Sequence, residues 1–468
     1  EGVVVQDSEV VLAAEARPDR DPVLVLRAAA ASAQAGLRLS THTIDRLAAE
    51  SAPLPVPWPR QARENLVSLL GAGRSTVPVW ESLDQANIVS RLIPGWDQVR
   101  SAPQRNPVHR FTVDRHLVET AVAASMHTRK VSRPDLLLVG ALLHDIGKGR
   151  GGDHTDIGVD IVADLAPHLG FDPADTEVLM DLVRYHLLLP DVATRKDIDD
   201  PAVIESVAKA VQTHETLDLL HWLTVSDASA TGPAAWSPWK ENLVDVLVRR
   251  TAASLSGDEV IIEPLLDDVP EQLWDSGEVQ VLVEMTGDTE VAVTVAASDS
   301  VGLLSRCAGA LAINRLSVRD AASRTRENRA VIRWSVQTQF GEPPRAESLT
   351  ADLRRAIAGE LDLARRLSER ERAYATPDDP RPEPIVALIP DGSSRTTALE
   401  VRAHDRAGLL YWVTSALSNA GVNVESAKVS TLGSEVVDVF FVTDEGGQRL
   451  SEGRGQAAVR AVKAVLAE

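Results

Sequence analysis

An adjacent histidine and aspartate, His144 and Asp145, follow an apolar run that begins at Leu136. Neighbouring imidazole and carboxylate groups suit a divalent metal ion that activates water. Lys148 comes three residues after the pair, and a glycine-rich turn then leads to His154. A lysine in this position predicts a point charge for a phosphate oxygen. The segment therefore indicates metal-dependent catalysis on a phosphate ester, with the pair and Lys148 as the catalytic residues.

Further histidine and aspartate residues lie on or beside the helices predicted around this pair. Inward-facing side chains of neighbouring helices commonly build metal sites in helical bundles. The predicted ligands of one ion are His116, His144, Asp145 and Asp227. The predicted ligands of a second ion are His154 and His186, with Asp145 bridging. Any one of these residues alone has a simpler structural explanation, so their joint occurrence carries the prediction. Two ions roughly 3.5–4 Å apart would serve an in-line displacement at phosphorus.

Helical periodicity predicts the elements that position these residues. Apolar residues recur at helical spacing from about Phe111 to Leu255. The predicted helices cover residues 113–124, 134–145, 157–169, 174–186, 201–211 and 216–226. We therefore predict an all-α domain over residues 106–256, preceded by a helical connector over residues 1–105.

The pattern changes after Ser254, where segments rich in β-branched residues alternate with short helices. The order indicates a ferredoxin-like sandwich over residues 277–362. A charged, proline-containing linker is predicted over 363–394, and the pattern then recurs over 395–468. The loops DSVGLL, from Asp299, and DRAGLL, from Asp405, correspond in the two copies. The predicted fold class is therefore α+β multidomain: an all-α domain followed by two βαββαβ domains.

Composition excludes several classes of function. The net charge of −20 over 468 residues argues against nucleic-acid binding, which needs a basic face. The apolar runs fall far short of the roughly 20 residues that span a bilayer. The single cysteine, Cys307, excludes an internal disulfide and favours a reducing cytoplasm. Because the chain begins at Glu1 rather than Met, we expect further sequence upstream.

The motifs resemble the HD phosphohydrolase superfamily, whose signature is a distant His, an adjacent His-Asp pair and a late Asp. The closer resemblance is to the bifunctional PII uridylyltransferase/uridylyl-removing enzymes, which end in two ACT domains. It rests on FTVDRH at 111–116, LLHDIGKGRGGDH at 142–154 and LTVSDASATGPAAWSPWK at 223–240. The positions of that family's metal ligands match His116, His144, Asp145 and Asp227. The resemblance implies hydrolysis of a nucleotidyl-tyrosine bond on the nitrogen-regulatory PII protein, with Mn²⁺ or Mg²⁺ (one or two ions).

The resemblance also implies that the ACT pair binds glutamine and switches activity. The predicted ligand-binding residues are Asp405, Arg406 and Gly408 in the second repeat and Asp299 and Gly302 in the first. The turn before the helix could present backbone N–H groups to a ligand carboxylate. In the first repeat Ser300 and Val301 stand where ACT loops often carry Arg-Pro, so the second repeat is the favoured binder. The alternative is that both glycines only start helices in an interface without ligand.

The family's transferase half is N-terminal and carries a Gly-Ser motif followed by paired aspartates, a pattern that this sequence lacks. We therefore predict the C-terminal, nucleotide-removing part of such an enzyme, and the nucleotide, UMP or AMP, stays open. One alternative is a guanosine tetraphosphate hydrolase, which also pairs HD and ACT-type domains. The GRGGDH turn and the tandem repeat argue against it. The other alternative is a non-catalytic amino-acid sensor, against which the complete ligand set argues.

Overall fold

The chain divides into two units, and one short segment of the helical region is grouped with the second unit. The structure is a computed structural model that describes residues 1–104, 110–232, 236–261, 269–287, 290–338, 344–374, 383–432 and 435–467. The first unit comprises residues 1–190 and 207–258, and the second comprises residues 191–206 and 259–468. The boundary predicted between residues 105 and 106 lies outside the described residues.

The first unit begins with a small sheet and continues as helices. Its elements before that segment are β1 (Val3–Gln6), β2 (Glu9–Leu12), α1 (Leu24–Ala35), β3 (Arg38–Leu39), α2 (Thr41–Glu50), α3 (Arg60–Leu70), α4 (Thr76–Gln85), α5 (Ile88–Leu92), α6 (Val113–Ser125), α7 (Pro134–Leu143), α8 (His154–His168) and α9 (Pro173–Tyr185). Short 3₁₀ helices cover Gly73–Ser75, Trp96–Gln98 and Thr128–Lys130. The remaining helices of the region are α10 (Leu188–Arg195), α11 (Pro201–Val211), α12 (His214–Thr231) and α13 (Pro238–Ser256).

The N-terminal sheet is absent from the sequence prediction, which has only helices over residues 1–105. Strand β1 pairs antiparallel with β2, and β2 pairs parallel with β3. Asp7 and Ser8, between β1 and β2, have φ of 50° and 63°, the left-handed conformation that a two-residue hairpin turn needs. The strands have only four, four and two residues. Strands this short give almost no periodic signal.

Helix α7 is apolar around its whole circumference and forms the centre of the helical domain. Pro134 occupies its first turn, where a missing N–H costs nothing, and every residue from Leu136 to Leu143 is buried. Gly140 lies so close to α9 that an added Cβ would come within 2.6 Å of Leu182 Cδ1. The all-round apolar surface therefore places the end of α7, and the residues that follow it, inside the domain.

The second unit contains the two repeats. Its elements are α14 (Glu271–Asp275), β4 (Gln280–Met285), β5 (Glu290–Ser298), α15 (Leu303–Ile313), β6 (Leu316–Arg326), β7 (Arg329–Thr338), α16 (Ala346–Ile357), α17 (Leu363–Tyr374), β8 (Ile385–Ile389), β9 (Thr397–His404), α18 (Leu409–Asn419), β10 (Asn423–Leu432), β11 (Glu435–Thr443) and α19 (Glu452–Leu466). The sheets have the equivalent orders β4-β5-β7-β6 and β8-β9-β11-β10, with antiparallel pairing throughout.

The repeats confirm an α+β region after the helical domain, with one difference in strand order. Each repeat runs ββαββα, so its edge strand precedes the rest instead of following the last helix as βαββαβ requires. Each edge strand pairs antiparallel with the strand that follows it in the sequence. The range predicted as a linker, 363–394, contains α17 and β8. Helices and strands of both repeats share one apolar core that includes Trp334 and Phe440.

Candidate metal centre

The predicted metal ligands come from the ends and faces of five helices of the first unit. His144 and Asp145 directly follow α7, and His186 directly follows α9. His154 is the first residue of α8, whose N-terminus is capped by Asp153. The remaining ligands are His116 in α6 and Asp227 in α12. His116, His144, Asp145 and His186 are at most 3% exposed.

The first ligand group gathers around Asp145 Oδ2 and Asp227 Oδ1. His116 Nε2 lies 2.9 Å from Asp227 Oδ1 and 3.9 Å from Asp145 Oδ2. His144 Nε2 lies 3.6 Å and 3.4 Å from the same two atoms. One ligand atom from each of His116, His144 and Asp145 falls within 4.8 Å of the others. The structure therefore brings together all four residues predicted for one ion.

The second ligand group gathers around the other oxygen of the same aspartate. His154 Nε2 and His186 Nε2 each lie 3.6 Å from Asp145 Oδ1. One ligand atom from each of these three residues falls within 4.8 Å of the others. Asp145 is thus shared between the two groups, with one carboxylate oxygen facing each.

Helix ends orient two of the imidazole rings. His144 Nδ1 lies 2.9 Å from the Ala141 carbonyl, and His186 Nδ1 lies 2.7 Å from the Val183 carbonyl. In both cases the ring nitrogen donates to a carbonyl that the ending helix leaves without its usual partner. Nδ1 is thereby committed as a donor, which leaves Nε2 to face Asp145.

The turn between His144 and His154 depends on Gly147. An added Cβ there would meet the His154 carbonyl oxygen and lie 2.6 Å from the Gly158 nitrogen, both backbone atoms of α8. Glycine therefore allows the first turn of α8 to approach the His-Asp pair. Gly151, in the same turn, has no atom within 4 Å of an added Cβ.

Lys148 points into the cluster. Its Nζ lies 2.5 Å from Asp145 Oδ2 and donates to Gln104 Oε1 over 3.2 Å. A buried carboxylate needs positive charge nearby, and in this structure Lys148 supplies part of it. The predicted role of Lys148 toward a phosphate oxygen stays a prediction. Gln104 was not predicted from the sequence, because nothing in its neighbourhood marks a contact with a residue 44 positions away.

The electrostatics of the cluster fit a cation. Burial alone would lower the pKa of His144, but the carboxylates of Asp145 and Asp227 outweigh burial and raise it to about 10. Burial alone would raise the pKa of Asp145, but His144, Lys148 and His186 hold it well below its usual range. Among the described residues, His144 Nε2 and Asp145 Oδ1 are buried atoms that make no hydrogen bond. Two carboxylates keep the His144 imidazole charged, and buried ligand atoms lack hydrogen bonds, an arrangement that a divalent ion would satisfy.

Metal binding should therefore release a proton from His144. In the metal-free protein the imidazole stays charged up to about pH 10, whereas a metal ligand must be neutral. The contribution of this charge to the free energy of unfolding is fully present below 6.5, the ordinary pKa of His144. It is lost as the pH rises through about 10. Adding Mn²⁺ near pH 7–8 should release about one proton per chain, measured by titration in weak buffer. His144→Gln should release none, and Mn²⁺ binding without proton release by the unaltered chain would contradict the assignment.

The loop predicted to bind an effector in the second repeat lines a small cavity within the second unit. Gly408 (φ 78°) precedes α18, and Arg406 contacts Glu371 at 3.1 Å and the Val465 carbonyl at 2.9 Å. Burial raises the pKa of Asp405. The cavity is only about 50 Å³, and Ser317 of the first repeat also lines it. A cavity of this volume holds about one or two waters rather than an amino acid.

The corresponding loop of the first repeat lines a larger cavity of about 280 Å³. Gly302 (φ 80°) precedes α15, and Asp299 belongs to the lining. Glu425 of the second repeat closes the other side. Each loop thus faces a strand of the other repeat. The internal repeat is compatible with this pairing, but local sequence patterns do not reveal it. Ligand binding at either loop stays a prediction.

Among the described residues, no helix combines the length and apolarity required to cross a lipid bilayer.

Comparisons with known proteins find two domain families and several relatives that match this chain. Residues 113–218 match the HD domain family, and residues 397–450 match the ACT domain family. The whole chain aligns with a bifunctional uridylyltransferase/uridylyl-removing enzyme of Streptomyces coelicolor at 46% identity, covering 62% of that relative. A Mycobacterium tuberculosis relative of the same name is 42% identical over 95% of this chain and 57% of its own length. A Gluconobacter oxydans relative of the same name is 32% identical over 80% of this chain and 47% of its own length.

Proposed function

This chain is an HD-domain and ACT-domain protein homologous to the bifunctional uridylyltransferase/uridylyl-removing enzymes, and we propose that it removes UMP or AMP from a tyrosine of the nitrogen-regulatory PII protein. The chain spans about three fifths of the Streptomyces and Mycobacterium relatives. Of the two activities in their name, we propose only the removing one. The observation that carries the proposal is the sharing of Asp145 between two groups of ligand atoms inside the HD-matched segment.

We propose His116, His144, Asp145 and Asp227 as ligands of one ion, and Asp145, His154 and His186 as ligands of a second. Divalent ions bound there would acidify water and neutralise charge on a phosphate. The supporting geometry is that every predicted ligand reaches Asp145 or Asp227 with a side-chain nitrogen or oxygen. The helical domain proposed over residues 106–256 contains all of them.

The proposed metal is Mn²⁺ or Mg²⁺, and the donor set favours Mn²⁺. Four of the six proposed ligands are imidazoles. Mg²⁺ prefers oxygen ligands and keeps much of its water, whereas imidazole suits transition-metal ions better. We expect activity to be higher with Mn²⁺ than with Mg²⁺ at equal concentration.

The reaction is a hydrolysis at phosphorus. The oxygen of a water molecule bonds to phosphorus, the bond from phosphorus to the tyrosine oxygen breaks, and a proton from the water passes to the tyrosine oxygen. The products are a nucleoside monophosphate and unmodified PII. The phosphate must enter from the side where the cluster is open, because His116 and His144 are fully buried. The side chains of Lys148, His154 and Asp227 are 23%, 31% and 23% exposed and mark that side. We propose Lys148 as the group that holds a phosphate oxygen, and its partial exposure on that side supports the proposal.

We propose glutamine as the effector, bound at the loops that precede α15 and α18. Asp405, Arg406 and Gly408 remain the proposed residues in the second repeat, with Asp299 and Gly302 in the first. Support comes from the cavity of about 280 Å³ beside the first loop and from the α18 N-terminus, whose backbone N–H groups could receive a carboxylate. The cavity by the first loop is the larger, so both sites belong in the test. The cytoplasm is the proposed location, consistent with Cys307 as the sole cysteine.

The test incubates the chain with Mn²⁺ and PII carrying either UMP or AMP on its tyrosine, with and without glutamine. We expect one of the two nucleotides to be released and glutamine to change the rate. If the chain cleaves guanosine tetraphosphate and neither PII substrate, it is a guanosine tetraphosphate hydrolase and the proposal is wrong. Glutamine binding without hydrolysis of any of the three substrates would indicate a sensor instead.

A further inference from the structure

A segment of the helical region folds with the second unit. Residues 191–206 belong to that unit, although the residues on both sides of the segment belong to the first. The boundaries fall inside helices, because α10 covers Leu188–Arg195 and α11 covers Pro201–Val211.

A buried lysine of the second repeat holds the C-terminal end of α10. Lys428 is 8% exposed, and its Nζ donates to the carbonyl oxygens of Ala193 and Lys196, each over 2.6 Å. The last carbonyls of a helix lack intrahelical partners and carry its negative dipole end, so an ammonium group is stabilising there. Arg195 Nε adds an ion pair of 2.5 Å with Glu400 Oε2, and Glu400 is 5% exposed.

The loop before β9 binds the residues that follow α10. The Asp197 N–H donates to the Gly392 carbonyl over 2.8 Å, and Arg395 contacts the Asp197 carboxylate at 2.9 Å. Asp200 is 1% exposed and accepts a hydrogen bond from Ser393 Oγ over 3.3 Å. The Asp200 contact is buried, whereas the Arg395 side chain is 57% exposed, so the buried Asp200 carboxylate is the firmer of the two charged attachments.

The strand that carries Lys428 also lines the small cavity beside the Asp405 loop. Lys428, Val439 and Glu400 stand opposite one another on β10, β11 and β9, which puts them on one face of the sheet. The next position, Val429, is opposite Asp438, and both line that cavity from the other face. Strand β10 also lines the larger cavity beside the first-repeat loop, through Val424 and Glu425. A movement of β10 caused by a ligand in that larger cavity would therefore also move Lys428.

The other end of α10 lies next to a proposed metal ligand. Helix α10 begins two residues after His186 and has eight residues, which is about 12 Å of helix. His186 Nε2 lies 3.6 Å from Asp145 Oδ1. A short helix moves largely as one body, so restraint at its C-terminal end also restrains the chain at His186.

We propose that Lys428 is a positioning residue: by holding the end of α10 it fixes His186 in the metal centre. Through β10 it also makes that centre responsive to a ligand bound in the larger cavity of the repeats. This inference rests on the proposed function for the reaction that is regulated, but the restraint itself can be measured without any substrate.

The test compares Lys428→Met with two reference variants. Lys428→Arg keeps a positive donor at the carbonyls, and Arg402→Met removes a 2.8 Å ion pair to the same Glu400 from a side chain that is 46% exposed. Loss of a hydrogen bond to a charged group should speed amide hydrogen exchange in residues 188–196 about tenfold or more in Lys428→Met. The same variant should bind Mn²⁺ more weakly and lose most of its response to glutamine. Lys428→Arg should recover part of each property, and Arg402→Met should resemble the unaltered chain.

Arg195→Met tests the same restraint from the side of α10, leaving the residues of the sheet unchanged. It should speed amide hydrogen exchange in residues 188–196 and weaken Mn²⁺ binding, as Lys428→Met does. Unchanged exchange in residues 188–196 would overturn the proposal. Faster exchange with unchanged Mn²⁺ affinity would also overturn it, because Lys428 would then serve only the fold. If the unaltered chain releases no nucleotide, the proposed function fails, while exchange and Mn²⁺ binding still decide this inference.

Discussion

Asp145→Asn is expected to lower the rate of nucleotide release from modified PII by about 10³-fold or more. The substitution keeps the size of the side chain but removes the charge that both ligand groups share. A divalent ion contributes several kcal/mol of transition-state stabilisation, and each 1.36 kcal/mol is tenfold in rate. Because one carboxylate serves both groups, a single substitution should impair both proposed ions. Release of UMP or AMP under single-turnover conditions measures the effect.

Thermal unfolding of Asp145→Asn provides a second, independent test of the loss of metal binding. At a Mn²⁺ concentration about 100 times its dissociation constant, binding should stabilise the unaltered chain by about 2.7 kcal/mol. Asp145→Asn should show little of this gain, while its circular dichroism spectrum should stay that of a folded helical protein. Asp164→Asn is the matched control, because Asp164 is an exposed carboxylate on α8 and belongs to neither ligand group. Nucleotide release by Asp145→Asn at the rate of this control would refute a catalytic role for the cluster.

Gly147→Ala is expected to lower activity by about 10²-fold without changing any metal ligand. The added methyl group would meet backbone atoms of His154 and Gly158, which cannot rotate away as a side chain could. The first turn of α8 must then move, and His154 moves with it. A displacement of about 1 Å in a catalytic group can cost about 10²-fold in rate. Overpacking of this kind also costs about 1–3 kcal/mol of stability.

Gly151→Ala is the control for Gly147→Ala, because the same methyl group at Gly151 would enter open space. It should keep its activity and change stability by less than about 0.5 kcal/mol. Kinetics, Mn²⁺ affinity and thermal unfolding of the two variants would be compared. Equal activity of Gly147→Ala and Gly151→Ala would show that the close approach of α8 to the His-Asp pair is unimportant.

The helical domain could be predicted because its signals are local. Apolar residues at helical spacing mark α6, α7, α8 and α9, and capping residues such as Asp153 mark where helices begin. The ligand residues lie at or near helix ends, so recognising the helices also places the ligands near one another. The internal repeat is a further local signal, since equivalent loops and strands recur in order.

The grouping of residues 191–206 with the second unit could not be predicted, because it depends on contacts between distant parts of the sequence. Lys428 and Glu400 are charged residues within strands, a pattern that ordinarily predicts a solvent-facing side of the sheet. In the structure both are buried, and their partners lie more than 200 residues earlier in the chain. The cavities depend on pairing between the repeats, which periodicity within either repeat does not encode.

The central claim is that Asp145 joins two ligand groups into one metal centre. Crystals of the chain grown with Mn²⁺ would locate the ions by anomalous scattering. We predict one peak among His116, His144, Asp145 and Asp227 and a second among Asp145, His154 and His186, with Asp145 contacting both. Ions bound elsewhere, or no ion within reach of Asp145, would contradict the claim.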